Sequence, residues 1–152
     1  MTYLLAAGQC TAPDPSPKSI AKCSLNLTDS GVMTTKATEV ARNYHETWNG
    51  RDADVLVASF AKDGIFSDSD TTPGINGEAL ANYVKGVWKA IPDFSIELLI
   101  AGEIEPGVVA HHWLIRGTSS GKELSFKGAS IIHVEGDKIR SDENYFDRKA
   151  LE

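Results

Sequence analysis

The feature that most constrains this chain is a change of hydrophobic period at Pro92. Before it apolar residues recur at helical spacing, and after it they alternate. Ala37, Val40, Ala41, Tyr44 and Trp48 fall at i, i+3, i+4, i+7 and i+11, which predicts a helix whose single apolar stripe points Tyr44 inward. Asn49-Gly50 closes it, Asp52 caps a second helix built on Ala53, Leu56, Val57 and Phe60, and the chain turns at Asp63-Gly64 into a short strand from Ile65 to Asp68. Asn76 opens a third helix, on which Leu80, Tyr83, Val84, Val87, Trp88 and Ile91 share a face until Pro92 stops it. Beyond Pro92, Phe94, Ile96, Leu98 and Ile100 alternate with their neighbours. Three more strands follow, from Val108 to Thr118, Lys122 to Val134 and Lys138 to Phe146, separated by Gly-containing turns. Helices first and an antiparallel meander afterwards predict an α+β domain, with three N-terminal helices packed in the concave face of a curved antiparallel sheet.

At 152 residues and 41% apolar composition the chain can bury one core. Residues 1–32, with Pro13, Pro15 and Pro17 among small polar residues and no period, read as an appended extension, so the domain is expected over 33–152. A net charge of −6 excludes a basic face for nucleic acid or an anionic membrane, and points to a small neutral or cationic ligand. No stretch approaches the roughly 20 apolar residues of a membrane-spanning helix. The segment from Met1 to Cys10 lacks the basic start of a signal peptide, so a cytoplasmic protein is expected. Cys10 and Cys23 then stay as free thiols. His111 and His112 are neighbours on a strand and face opposite sides, while His45 and His133 stand alone, so no metal and no cofactor are expected.

Order of elements and local motifs together carry a resemblance. Tyr44-x3-Trp48-Asn49-Gly50-Arg51-Asp52, Phe60-Ala61-Lys62-Asp63-Gly64, and Gly136-Asp137-Lys138-Ile139 followed by Asn144-Tyr145-Phe146-Asp147 resemble the nuclear transport factor 2-like superfamily. Within it the chain is similar to SnoaL-like cyclases, ketosteroid isomerases and limonene epoxide hydrolases, over about residues 36–152. The resemblance implies a cone-shaped pocket between sheet and helices, and homodimers. It sets Tyr44 and Asp68 where the isomerases hold their oxyanion tyrosine and proton-shuttling aspartate. Ser130 stands where those isomerases have a second acid and the cyclases a histidine. Asn144 stands where the cyclases have an acid, and His111 and Trp113 fall near the arginine and aspartate of the hydrolases. No complete catalytic set from any of the three is present.

Each candidate also has an ordinary reading. Asp68, beside Ser69 and Asp70, can be a loop acid closing an Asx turn, and Tyr44 can be a core tyrosine with its hydroxyl satisfied. Asp68, Tyr44, His111 and Asn144 are the candidate catalytic residues, with Trp48, Phe66, Trp88, Trp113 and Ser130 lining the site. The expected function is a cofactor-independent enzyme that acts on a hydrophobic small molecule, by proton transfer beside a carbonyl or by adding water. The alternatives are a binder of the same kind of ligand and a dimeric scaffold.

Overall fold

The computed structural model describes residues 34–151, so the expectation for residues 1–32 lies outside the described residues. Helix α1 (Lys36–Gly50) opens at Thr35, whose hydroxyl oxygen accepts from the backbone N–H of Thr38. It closes on Arg51 in the left-handed conformation, and Asp52 caps α2 (Ala53–Ala58) by accepting from the N–H groups of Asp54 and Val55. A stop and a start on consecutive residues make the tight joint expected there.

Strand β1 (Phe60–Ser67) starts earlier than the sequence suggested. The expected turn at Asp63-Gly64 is a slip of register within the strand, between Phe60 and Ile65. A Cβ on Gly64 would stand 2.6 Å from the carbonyl oxygen of Ile139, so glycine is what lets the two backbones approach. Helix α3 (Gly77–Ala90) follows, then β2 (Ser95–Glu105), β3 (Val108–Ser119), β4 (Lys122–Glu135), β5 (Lys138–Phe146) and a closing 3-10 turn, Arg148–Leu151.

The sheet order is β1-β5-β4-β3-β2. Strands β2 to β5 form the expected antiparallel meander, and β1 joins β5 in parallel, which makes the curved, unclosed sheet mixed. The inner face carries Val109, His111 and Trp113 on β3 against Ile132, Ser130 and Gly128 on β4, and the helices lie in this concavity. The alternation expected for β2 breaks at a register slip between Leu98 and Ile100. Ile100 consequently turns outward, 65% exposed, and Ala101 takes the inward position.

Helix α1 is fastened to the outer edge of β2 by one side chain. The Asn49 amide donates to the carbonyl of Ile96 and accepts from its N–H, both at 2.9 Å, so it serves as an extra residue of strand on the open edge. Replacing Asn49 by Ala should cost about 2 kcal/mol, the net worth of two such bonds, in urea unfolding. A loss below about 0.5 kcal/mol would show that solvent serves that edge equally well.

Candidate active site

The cone between helices and sheet encloses a cavity of about 500 Å³. That is ample for a small organic molecule. One wall comes from the helical side, where the Trp48 ring lies 5.8 Å from Phe66 and 6.0 Å from Phe94, and Phe66 lies 5.5 Å from Tyr83. The sheet supplies the other wall, with Trp113, Phe126 and Phe146 at centroid separations of 5.6 to 6.2 Å. Gly128 makes room for the Trp113 ring, since a Cβ there would stand 2.1 Å from it. The exposed residues Asp70, Asn82, Gly86 and Ala90 mark the rim.

Tyr44 and Asp68 do not meet. The Tyr44 hydroxyl donates to Oδ2 of Asp142 at 2.7 Å, and accepts from the indole N–H of Trp48 at 3.3 Å. Burial, then the neighbouring Asp142 charge, drives the Tyr44 pKa well above its ordinary value, so the phenol keeps its proton. Asp68 is buried and lines the cavity, yet its carboxylate is taken up locally. Its Oδ1 accepts from the N–H groups of Asp70 and Thr71 and from the Thr71 hydroxyl, and its Oδ2 accepts from Tyr83 at 2.5 Å. The Asx-turn reading and burial therefore hold together at this residue. Tyr83 is raised in turn, by burial first and then by its bond to Asp68.

Asp142 is the group the sequence reading missed. It is 2% exposed on β5, lines the cavity, and its Oδ1 has no hydrogen-bond partner among the described residues. Burial pushes its pKa up to about 6, while Tyr44 and the nearby Asn144 pull the other way and the Asp68 charge adds to the rise. The signal was available: if Asn144 faces inward on β5, Asp142 two residues earlier must share that face. The polar residues beside it form a directed chain. Trp113 donates its N–H to Ser130 at 2.8 Å, Ser130 donates to Oδ1 of Asn144 at 2.7 Å, and the Asn144 amide reaches the Ser67 carbonyl at 3.4 Å. Neither Asp68 nor His111 takes part in this chain.

His111 is buried on the inner face as expected, but it lies behind the cavity wall rather than in it. His45, expected to stand alone, packs edge-on against it with ring centroids 5.3 Å apart and itself lines the cavity. Burial pushes His45 down to about 4 and His111 to about 3, the latter helped by His45 and Arg42, so both rings are neutral at pH 7. Trp48, Phe66, Trp113, Ser130 and Asn144 line the cavity, whereas Trp88 packs behind Trp48, 6.4 Å away, and does not.

Architecture and lining together define a cone-shaped α+β protein with an acid-lined hollow between helices and sheet. A family model for the SnoaL-like domain matches residues 41–141, so the chain belongs to that family, within the nuclear transport factor 2-like superfamily. Solved structures agree on the fold. A ketosteroid isomerase-like protein from Catenulispora acidiphila, solved in complex with trimethylamine, is 20% identical with a TM-score of 0.69, covering 78% of this chain and 91% of that one. A putative polyketide cyclase from Bacillus cereus is 18% identical with a TM-score of 0.67, covering 78% and 79%. An LEH-like epoxide hydrolase from M. tuberculosis is 16% identical with a TM-score of 0.64, covering 78% and 87%. No curated protein matches the sequence significantly.

Proposed function

We propose that the protein is an acid–base enzyme for a hydrophobic small molecule, with Asp142 as the group that takes or gives the proton. One observation supports this reading: on the lining of an aromatic cavity sits a buried carboxyl that is fixed through one oxygen by Tyr44 and whose other oxygen is buried without a hydrogen-bond partner among the described residues. A carboxyl poised near pH 6 sits between acid and base at neutral pH, which suits proton transfer beside a carbonyl or activation of water. Tyr44 acts as a positioning residue, because its only proton is spent on Asp142. Asn144, oriented by Ser130, has the amide to hold a substrate oxygen.

The test is a screen of hydrophobic ketones, esters and epoxides by thermal shift, followed by turnover of any hit. Asp142→Asn should then lower kcat by roughly 10²- to 10⁴-fold, the usual worth of a positioned acid or base. A full rate in that variant removes Asp142 from the mechanism. A hit that binds tightly and never turns over favours the second reading, a binder, which the cavity phenol Tyr83 supports by donating to Asp68 rather than into the cavity.

We also propose a symmetric dimer through the outer face of the sheet. Ile100, His112, Ala129 and Tyr145 stand in one row across four strands, with Ile100 and Tyr145 65% and 57% exposed. Light scattering should give twice the chain mass, and Ile100→Glu should give the monomer. A monomeric parent protein contradicts this.

A further inference from the structure

The charge balance of the cavity is one-sided. Asp68, Asp70 and Asp142 line it, and no Lys or Arg among the described residues does. Asp70 is neutralised at the rim by Arg148. Neither Asp68 nor Asp142 makes an ion pair among the described residues, since the groups around them are backbone N–H groups, hydroxyls, phenols and the Asn144 amide. His45, the remaining titratable group on the lining besides the phenol of Tyr83, is neutral at pH 7. A buried carboxylate without a cation is costly, and Asp142, a residue of the cavity lining, keeps its Oδ1 buried without a hydrogen-bond partner among the described residues.

The walls around that oxygen suit a cation as well. Trp48, Phe66, Trp113 and Phe126 offer ring surface, and aromatic faces attract an ammonium group that has been taken out of water. An anionic ligand would meet two carboxylates and no compensating donor of positive charge.

We propose that the ligand is a hydrophobic amine, its protonated nitrogen seated against Oδ1 of Asp142 and its carbon substituents against the Trp48, Phe66 and Trp113 rings. This rests on the reading of the cavity as a ligand site and adds the chemical class. The ammonium supplies the positive charge that the lining lacks, and one N–H donates to the unpartnered oxygen. Asp68, already saturated by its own turn and by Tyr83, contributes field rather than contact.

Two probes of similar size test it at pH 7.5 by calorimetry: N,N-dimethylbenzylamine, which is protonated there, and the neutral N,N-dimethylbenzamide. The amine should bind the native protein at least tenfold more tightly, and Asp142→Asn should abolish that preference while leaving the amide's affinity within about threefold. In the native protein the amine should also shift the backbone amide resonances of Ser130, Asp142 and Asn144, a readout that does not depend on the variant folding. Equal or tighter binding of the amide, or an amine preference that survives in Asp142→Asn, overturns the amine assignment and leaves the ligand cavity standing. If neither probe enters, the amine assignment falls together with the ligand-site reading.

Discussion

Replacing Asp142 by Asn should make the protein relatively more stable as the pH rises. A carboxyl whose folded pKa is about 6 against an ordinary 3.8 stabilises the fold fully only below the ordinary value. That contribution drains away as the pH climbs to 6, because the unfolded chain ionises first, and the loss amounts to roughly 3 kcal/mol above pH 6. Asn does not titrate and escapes it. It can still accept from Tyr44, although its amide leaves two donors without partners in the cavity, a constant cost at every pH. The difference in stability between variant and native protein should therefore move in the variant's favour by roughly 2 kcal/mol between pH 4.5 and pH 7.5, in paired urea titrations. A difference that does not change with pH would mean that the carboxyl is not shifted. Coupled with lost turnover, the predicted outcome is the stability–activity exchange expected where a fold tolerates an unfavourable group for its chemistry.

The second large effect has the opposite sign. His45 and His111 are buried neutral, their pKa values depressed to about 4 and about 3 from 6.5. For a depressed base the stability is present above 6.5 and is lost as the pH falls, because the unfolded chain takes up the protons that the folded rings refuse. Between pH 6.5 and 4 each ring should cost the fold on the order of 3 kcal/mol, outweighing what Asp142 gains. The native protein should thus be acid-labile, its unfolding free energy falling steeply below pH 6. His111→Leu removes one proton from that balance, so the slope should lessen by about 1.4 kcal/mol per pH unit between pH 6 and 4.5. An unchanged slope would show that His111 already binds its proton in the folded state.

Period and turn chemistry made most of the fold legible. The change of spacing at Pro92, the paired caps around Arg51 and the strand alternation of β3 to β5 are local signals, and they are where the sequence reading and the structure agree. What failed was non-local or defective periodicity. The slip in β2 that turns Ile100 outward and the close approach of Gly64 to Ile139 depend on a partner strand that no window of sequence contains. The parallel seat of β1 beside β5 joins segments some seventy-five residues apart, such as Ile65 and Ser141.

The candidate site followed the same division. Faces could be read: Tyr44, Trp48 and Phe66 point inward, as do Trp113 and Ser130. Partnerships could not. Tyr44 and Asp68 occupy one core, but their distances to other side chains decide that the first serves Asp142 and the second serves its own turn and Tyr83. Asp142 went unnoticed because it carries no motif, and only its two-residue offset from Asn144 betrays it. His45 was passed over because it neighbours Tyr44 in sequence, although its spacing of three from Trp48 and four from Ala41 places it in the same stripe.

Site-resolved titration of the Asp142 side-chain carboxyl carbon by NMR tests the central claim most directly. A midpoint near pH 6 is expected, displaced upward by burial and then by the Asp68 charge. A midpoint at or below 4 would mean a carboxyl solvated or paired in the ordinary way, and Asp142 would then have no claim to the proton-transfer role.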